Sequence, residues 1–341
     1  MNSMERVRNV IAGRPVDHLP AQPMVMMFAA KHAGMEFIDY TKDGRLMAEA
    51  QLRVAEDFDI DCLLTCSDPA REVIDIAGEG SIDWFSDQGP AINEERAALA
   101  DKSRLKTFKI PDPVGGGRMH DRIKGIEVMY EHVRGELSIV GWIEGPLALA
   151  AELRGINNIM FDLIDDPPFV DDLLDFCAEV AIVYASPQIH AGADTIGMSD
   201  AAASVIGPKL YERFLQPRQK RVLSAIKEKH PDVITRLHMC GNTDVLIPKM
   251  SELPVDIFEL DFPADLANAR NKLGPDKLIS GNVSTVYDLL EGPPERVYES
   301  ARRCHLISGS KHIVNSGCEV SPLTAPENLR ALIRYSRENQ P

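Results

Sequence analysis

Short apolar, β-branched runs recur along the chain, each closing on polar or small residues and separated from the next by helical patterning. Eight runs have this form: residues 22–28 (QPMVMMF), 61–67 (DCLLTCS), 138–145 (SIVGWIEG), 195–201 (TIGMSDA), 233–240 (VITRLHMC), 256–261 (DIFELD), 277–283 (KLISGNV) and 312–318 (HIVNSGC). Strand alternating with helix predicts a parallel sheet, because parallel neighbours need a crossover connection. Between the runs, Leu46, Ala50, Val54 and Phe58 recur at the four-residue step of one helical face over 43–58. The last helix is predicted to start at a capping box formed by Thr324 and Glu327, with Pro326 in the first turn and Leu329, Leu332 and Ile333 facing inward. Residues 78–118 break the alternation with Gly-rich turns, a strand-like run at 81–85 and the triplet Gly115, Gly116, Gly117. We read them as an insertion over the barrel mouth. Eight βα units without a fixed-period repeat predict an α/β fold, a (β/α)8 TIM barrel, as a single domain over 1–341.

Charge narrows the partners. With 37 Lys+Arg against 52 Asp+Glu the net charge is −15, which argues against a nucleic-acid phosphate backbone and suits small molecules or a protein partner. The composition, 44% hydrophobic and 26% charged, is that of an ordinary globular chain. No run of about 18 apolar residues occurs, and the first 20 residues are charged, so a soluble cytoplasmic protein is expected, away from membranes. Six cysteines are too sparse for a disulfide scaffold and are expected as thiols. The chain lacks a G-x-S-x-G elbow, a Walker A sequence and a G-x-G-x-x-G that opens a helix after a strand.

Chemistry in such a barrel sits at the C-terminal ends of the strands. The runs end there in Asp68, Glu144, Asp200, His238 with Cys240, Asp261, Asn282 and Cys318. Side chains at i and i+2 of a strand face the same way, so His238 and Cys240 can both point at one ion. Cys318 closes the last run, where converging strand ends make a third ligand stereochemically reasonable. One imidazole and two thiolates suit Zn(II), which leaves a position open in catalytic sites. The competing reading is two buried structural thiols beside a satisfied core histidine. Asp261 is either a fourth ligand, a carboxylate fixing the tautomer of His238, or the N-cap of a helix over 264–272. Asp68, Glu144, Asp200 and Asn282 are the candidate substrate contacts; loop capping or a plain turn explains Asp68, Asp200 and Asn282 as well. Met24, Met26 and Met27 read as core.

These residues resemble the uroporphyrinogen decarboxylase superfamily and, within it, the zinc methyltransferases that serve corrinoid proteins. Gly13 to Pro20 (GRPVDHLP) looks like the opening motif of that superfamily. Gly145 to Ala150 looks like its G-P-x-x-x-A segment, and Ser199-Asp200 with Tyr211, Phe214 and Pro217 like its central block. The most specific likenesses are H-M-C-G at His238 to Gly241, S-G-N at Ser280 to Asn282 and S-G-C-E at Ser316 to Glu319, which resemble methylcobamide:coenzyme M methyltransferases. The resemblance implies a (β/α)8 barrel with Zn on His238, Cys240 and Cys318. The same ligand arrangement resembles cobalamin-independent methionine synthase, whose fourth ligand is a carboxylate at the position of Asp261. It also implies methyl transfer involving cobalamin carried by a separate corrinoid protein, with coenzyme M, tetrahydrofolate or a methylated compound as the small partner. Decarboxylases of the superfamily carry an arginine-rich R-Q-A-G-R segment after the first strand, where this chain has Met27-Phe28-Ala29-Ala30-Lys31-His32. Asp68, in Cys66-Ser67-Asp68, does match the decarboxylase F-S-D, so decarboxylation of a tetrapyrrole is the second reading. A catalytically idle barrel that binds corrinoid proteins is the third.

Overall fold

The computed structural model describes residues 1–341. Its strands are β1 (Cys62–Leu64), β2 (Ile82–Asp83), β3 (Ala91–Ile92), β4 (Ser138–Glu144), β5 (Thr195–Ser199), β6 (Ile234–Met239), β7 (Ile257–Leu260), β8 (Leu278–Ser280) and β9 (His312–Ile313). Seven of them form one parallel sheet in the order β1-β4-β5-β6-β7-β8-β9, curled with helices around it, as expected of a TIM barrel.

The run at 22–28 does not supply the eighth strand as predicted. Only its leading edge lies between the sheet's two margins: the Asp61 amide donates to the Ala21 carbonyl at 2.8 Å, and the Gln22 amide to the Val314 carbonyl at 2.9 Å. Beyond that point the amides are taken by side chains. Pro23 has none to offer, Met24 donates to Ser316 Oγ, and Met26 and Met27 donate to the Glu319 carboxylate, so the chain turns into the helix Met27–His32.

The other strands of the main sheet occur within their predicted runs but are shorter: Glu144 and His238 stay on their strands, whereas Asp68, Asp200, Cys240, Asp261, Asn282 and Cys318 lie in the turns beyond. Helix Gly44–Phe58 is capped by Asp43, which accepts from the Arg45 amide at 2.8 Å. It buries Met47, Ala50, Val54 and Phe58, with Leu46 left half-buried at its edge. The last helix, Pro326–Glu338, buries Leu329, Leu332 and Ile333 as expected. Its capping box does not form: Ala325 occupies the N-cap, and the buried Thr324 Oγ1 has no partner. Between helices Ala70–Ala77 and Arg118–Val133, β2 and β3 pair as a small antiparallel hairpin. No helix is long and apolar enough to cross a membrane.

The two ends of the barrel differ in chemistry. At the N-terminal end, Ile234, Ile257, Leu278 and Ile313 open or nearly open their strands and pack against Val7, Val10 and Val16. Helix Ser3–Ala12, held at its start by a reciprocal Asn2–Glu5 capping box, supplies that apolar plug. Polar side chains are thereby left for the opposite end.

His312 in β9 is an exception within this apolar wall. It is fully buried, neither ring nitrogen has a partner, and burial together with the neighbouring His305 pushes its pKa down to about 3. The unfolded chain therefore takes up a proton on this histidine that the folded chain refuses, over the window from its ordinary value of 6.5 down to about 3. We expect the stability difference between wild type and His312→Phe to shift against wild type by about 1.4 kcal/mol per pH unit as pH falls through that window. Urea denaturation of both proteins at several pH values measures it, and parallel pH profiles would remove the assignment.

Candidate metal centre and active site

His238 lies at the end of β6, and Cys240 follows two residues later on the same side. Cys318 arrives from the loop beyond β9. The His238 Nε2 atom stands 3.4 Å from Cys240 Sγ and 3.8 Å from Cys318 Sγ, and the two sulfurs are 4.0 Å apart. All three ligand atoms lie within 4.8 Å of one another, a spacing that suits a common ion.

The Cys318 thiol is held well above its ordinary pKa by the adjacent Cys240 and by burial, against a lowering contact from His238. A shared cation would be needed to hold both sulfurs as thiolates at neutral pH. Burial opposes a charge on His238, but its contact with Cys318 and the nearby Glu259 carboxylate outweigh it and raise its pKa.

The glycines of both motifs have geometric reasons. Gly241 has φ +83°, and a Cβ on Gly317 would stand 2.4 Å from the Phe262 backbone nitrogen. Asp261 fastens the same corner: its Oδ2 accepts from the Gly241 amide and its Oδ1 from the Phe262 amide, each at 2.7 Å. Asp261 is thus fixed at this corner, each carboxylate oxygen engaged by one amide, but it is not among the groups whose ligand atoms converge. It is not an N-cap, for the following helix, Leu266–Leu273, starts five residues later under Asp265. Asn282 completes the lacing by donating to the carbonyls of Asp261 (3.1 Å) and Ala264 (2.9 Å), which ties the turn after β8 to the turn after β7.

Comparison with known proteins bears directly on this arrangement. The family model described as uroporphyrinogen decarboxylase (URO-D) matches residues 2–339. The chain belongs to that family. Within the URO-D family it is 30% identical over 241 residues to the methylcobamide:CoM methyltransferase MtbA of Methanosarcina mazei, covering 70% of this chain and 68% of that one. It is 28% identical over 214 residues to MtaA of Methanosarcina barkeri (62% and 61%) and 29% identical over 268 residues to a uroporphyrinogen decarboxylase of Prochlorococcus marinus (75% and 73%). A solved methyltransferase from Methanosarcina mazei superimposes with a TM-score of 0.89 over 99% of both chains at 22% identity, and so shares the fold.

The remaining candidate residues of this URO-D chain are distributed around the mouth, and several are already engaged. Asp200 is fully buried and caps helix Pro146–Arg154, accepting from the amides of Leu147 (3.0 Å) and Ala148 (2.8 Å) while Gln219 donates to its other oxygen at 2.8 Å. Burial nonetheless pushes its pKa up to about 7. Asp68 accepts from Ser67 Oγ and the Ala70 amide and sits 3.4 Å from Arg71 and 3.3 Å from Arg118. Burial works against its charge, but Arg71, Arg118 and Arg122 outweigh it and hold its pKa below the ordinary value.

Glu144 occupies the end of β4, in register with Ser199, His238, Glu259 and Ser280 on the next four strands. Its carboxyl is pushed well above the ordinary range by burial and by the Glu72 carboxylate beside it, with Arg122 offsetting only part.

Sequence reading missed Arg71, Arg118, Arg122, Glu72 and Glu259. The three arginines converge on Asp68 and Glu72 from helices Ala70–Ala77 and Arg118–Val133. No local motif announces that meeting. Glu259 did carry a signal, as the only charge within the apolar strand Ile257–Leu260, at the two-residue step from Asp261.

Proposed function

We propose that this chain is a corrinoid-dependent, zinc-containing methyltransferase. It moves a methyl group between methylcobalamin on a separate cytoplasmic corrinoid protein and a small partner: a thiol such as coenzyme M, tetrahydrofolate, or a methylated compound. The observation that carries the reading is the convergence of His238 Nε2, Cys240 Sγ and Cys318 Sγ at the barrel mouth. Kinship with MtbA and MtaA supports it. Zinc held by these residues would keep a substrate thiol as the nucleophilic thiolate at neutral pH.

The chain's own side chains prepare the site for that work. Asp261 and Asn282 lace together the loops that carry Cys240 and border Cys318, so the ligands meet without reorganisation. Glu144 offers a carboxyl whose pKa burial and Glu72 push up, in register with His238 and two strands away. We assign it to a polar group of the small substrate. Asp261 is the carboxylate available as a fourth ligand, and residues 78–118 are the insertion over the mouth.

Purified zinc-loaded protein is expected to demethylate free methylcobalamin in the presence of coenzyme M or another small thiol, followed by the change in corrinoid absorbance. Absence of transfer to any thiol or folate, with release of carbon dioxide from a tetrapyrrole polycarboxylate, would establish the second reading instead. That reading, decarboxylation, draws on the decarboxylase relatives and on Asp68 at the F-S-D position. Against it, Lys31 is the only cation in the segment that carries the arginine-rich clamp in decarboxylases, and it is exposed to solvent.

A further inference from the structure

We propose that Glu259 is the positioning residue that fixes His238 in its metal-binding tautomer. The inference rests on the zinc reading above and extends it to a residue beyond the ligand set.

An imidazole binds a metal through a lone pair, and the nitrogen opposite then carries the proton. In this site the nitrogen among the sulfurs is Nε2, so Nδ1 must be the N–H. Nδ1 is buried and stands 3.5 Å from Glu259 Oε2, an ion-pair distance rather than a formed hydrogen bond, and neither atom has a hydrogen-bond partner. The pairing is dictated by the ladder, since His238 and Glu259 are directly opposed residues of neighbouring parallel strands.

The carboxylate cannot turn away. Glu259 is 1% exposed, and its other oxygen is gripped by Arg236 Nη1 at 3.2 Å and Asn315 Nδ2 at 2.5 Å. Asn315 is itself held by Ser280 Oγ at 2.9 Å, and Arg236 by Gln22. A carboxylate serving only as the counter-ion of Arg236 would need Oε1 alone. The orientation of Oε2, with no donor other than the histidine, is accounted for by His238. Asp261 does not compete for this part, because the carboxylate within ion-pair distance of the His238 ring is that of Glu259. Glu259 approaches the ring from the edge opposite the sulfurs.

The test is zinc affinity measured by competition with a chromophoric chelator, in wild type and Glu259→Gln, beside the imidazole nitrogen shifts of His238 in metal-free protein. We expect Glu259→Gln to weaken zinc binding by about 10- to 100-fold. We also expect it to replace a single Nδ1–H tautomer by a mixture. A folded Glu259→Gln that binds zinc as tightly as wild type overturns the proposal, and so does weaker binding with the tautomer unchanged, which would make the effect one of charge alone. Should that variant fail to fold, Asn315→Ala decides: it removes one of the two donors that hold Oε1 and so loosens the carboxylate, and is expected to weaken zinc severalfold, and unchanged affinity overturns the role. Failure of wild type to retain zinc would overturn the zinc reading itself, and this inference with it.

Discussion

Cys318→Ala is expected to lose bound zinc, from about one ion per chain to none, and with it methyl transfer by on the order of a thousandfold or more. The magnitude follows from removing one of only three clustered ligands. Two donors, His238 Nε2 and Cys240 Sγ, remain 3.4 Å apart and cannot enclose an ion. The fold should survive, because Cys318 is only partly buried and its recorded side-chain contacts are with Cys240 and His238. Elemental analysis, circular dichroism and a methylcobalamin assay on the same preparation separate these effects. His238→Ala should behave alike. Turnover retained by a zinc-free Cys318→Ala protein would sink the assignment of chemistry to this centre.

The second large effect concerns stability. Arg71 is fully buried, and its guanidinium donates to Ser67 Oγ (2.9 Å), the Arg118 carbonyl (2.9 Å), Asp121 Oδ2 (2.7 Å) and the Thr41 carbonyl (2.7 Å). It also stands 3.4 Å from the Asp68 carboxylate. Truncation leaves a buried carboxylate and two buried carbonyls short of their donor, so Arg71→Ala should lower stability by about 3–5 kcal/mol. With a urea m-value of about 3 kcal/mol/M, the midpoint would fall by about 1–1.7 M. A loss below about 1 kcal/mol would show that the network does not hold the fold, and would return Asp68 to the candidates for substrate contact. Removing Arg71 also removes the positive charge that does most to oppose burial at Asp68, so the pKa of Asp68 should rise in the variant.

Both predictions trace how much of the site could be read in one dimension. The ligand trio was legible because its signal is short: two residues at the strand period in Leu237-His238-Met239-Cys240, and a third at the end of the last run. Glu144, Asp261 and Asn282 were legible as polar strand ends, but their tasks were not. Asn282 spends its amide on two carbonyls about twenty residues away in the chain, and Asp261 reaches back across a similar distance to Gly241. Asp200 shows the same limit from the other side. Its strand-end position promised a substrate contact, yet its oxygens serve the amides of a helix more than fifty residues earlier.

The sequence by itself determined the alternation of strand and helix, the apolar faces that bury Val54 and Leu332, and the two-residue spacing of His238 and Cys240. Each is a periodicity or a spacing carried within a few neighbouring residues, and the pleat or helical turn converts it directly into a face. Tertiary structure decided everything that depends on which distant group claims a donor or an acceptor. It turned the run at 22–28 out of the sheet, because Glu319 and Ser316 take its amides. It brought three arginines to Asp68 and Glu72, and it set Glu259 behind His238. Hydrogen-bonding capacity is local to a residue, but its satisfaction is a property of the packed interior, where each buried polar atom must find its partner among whatever the fold places beside it.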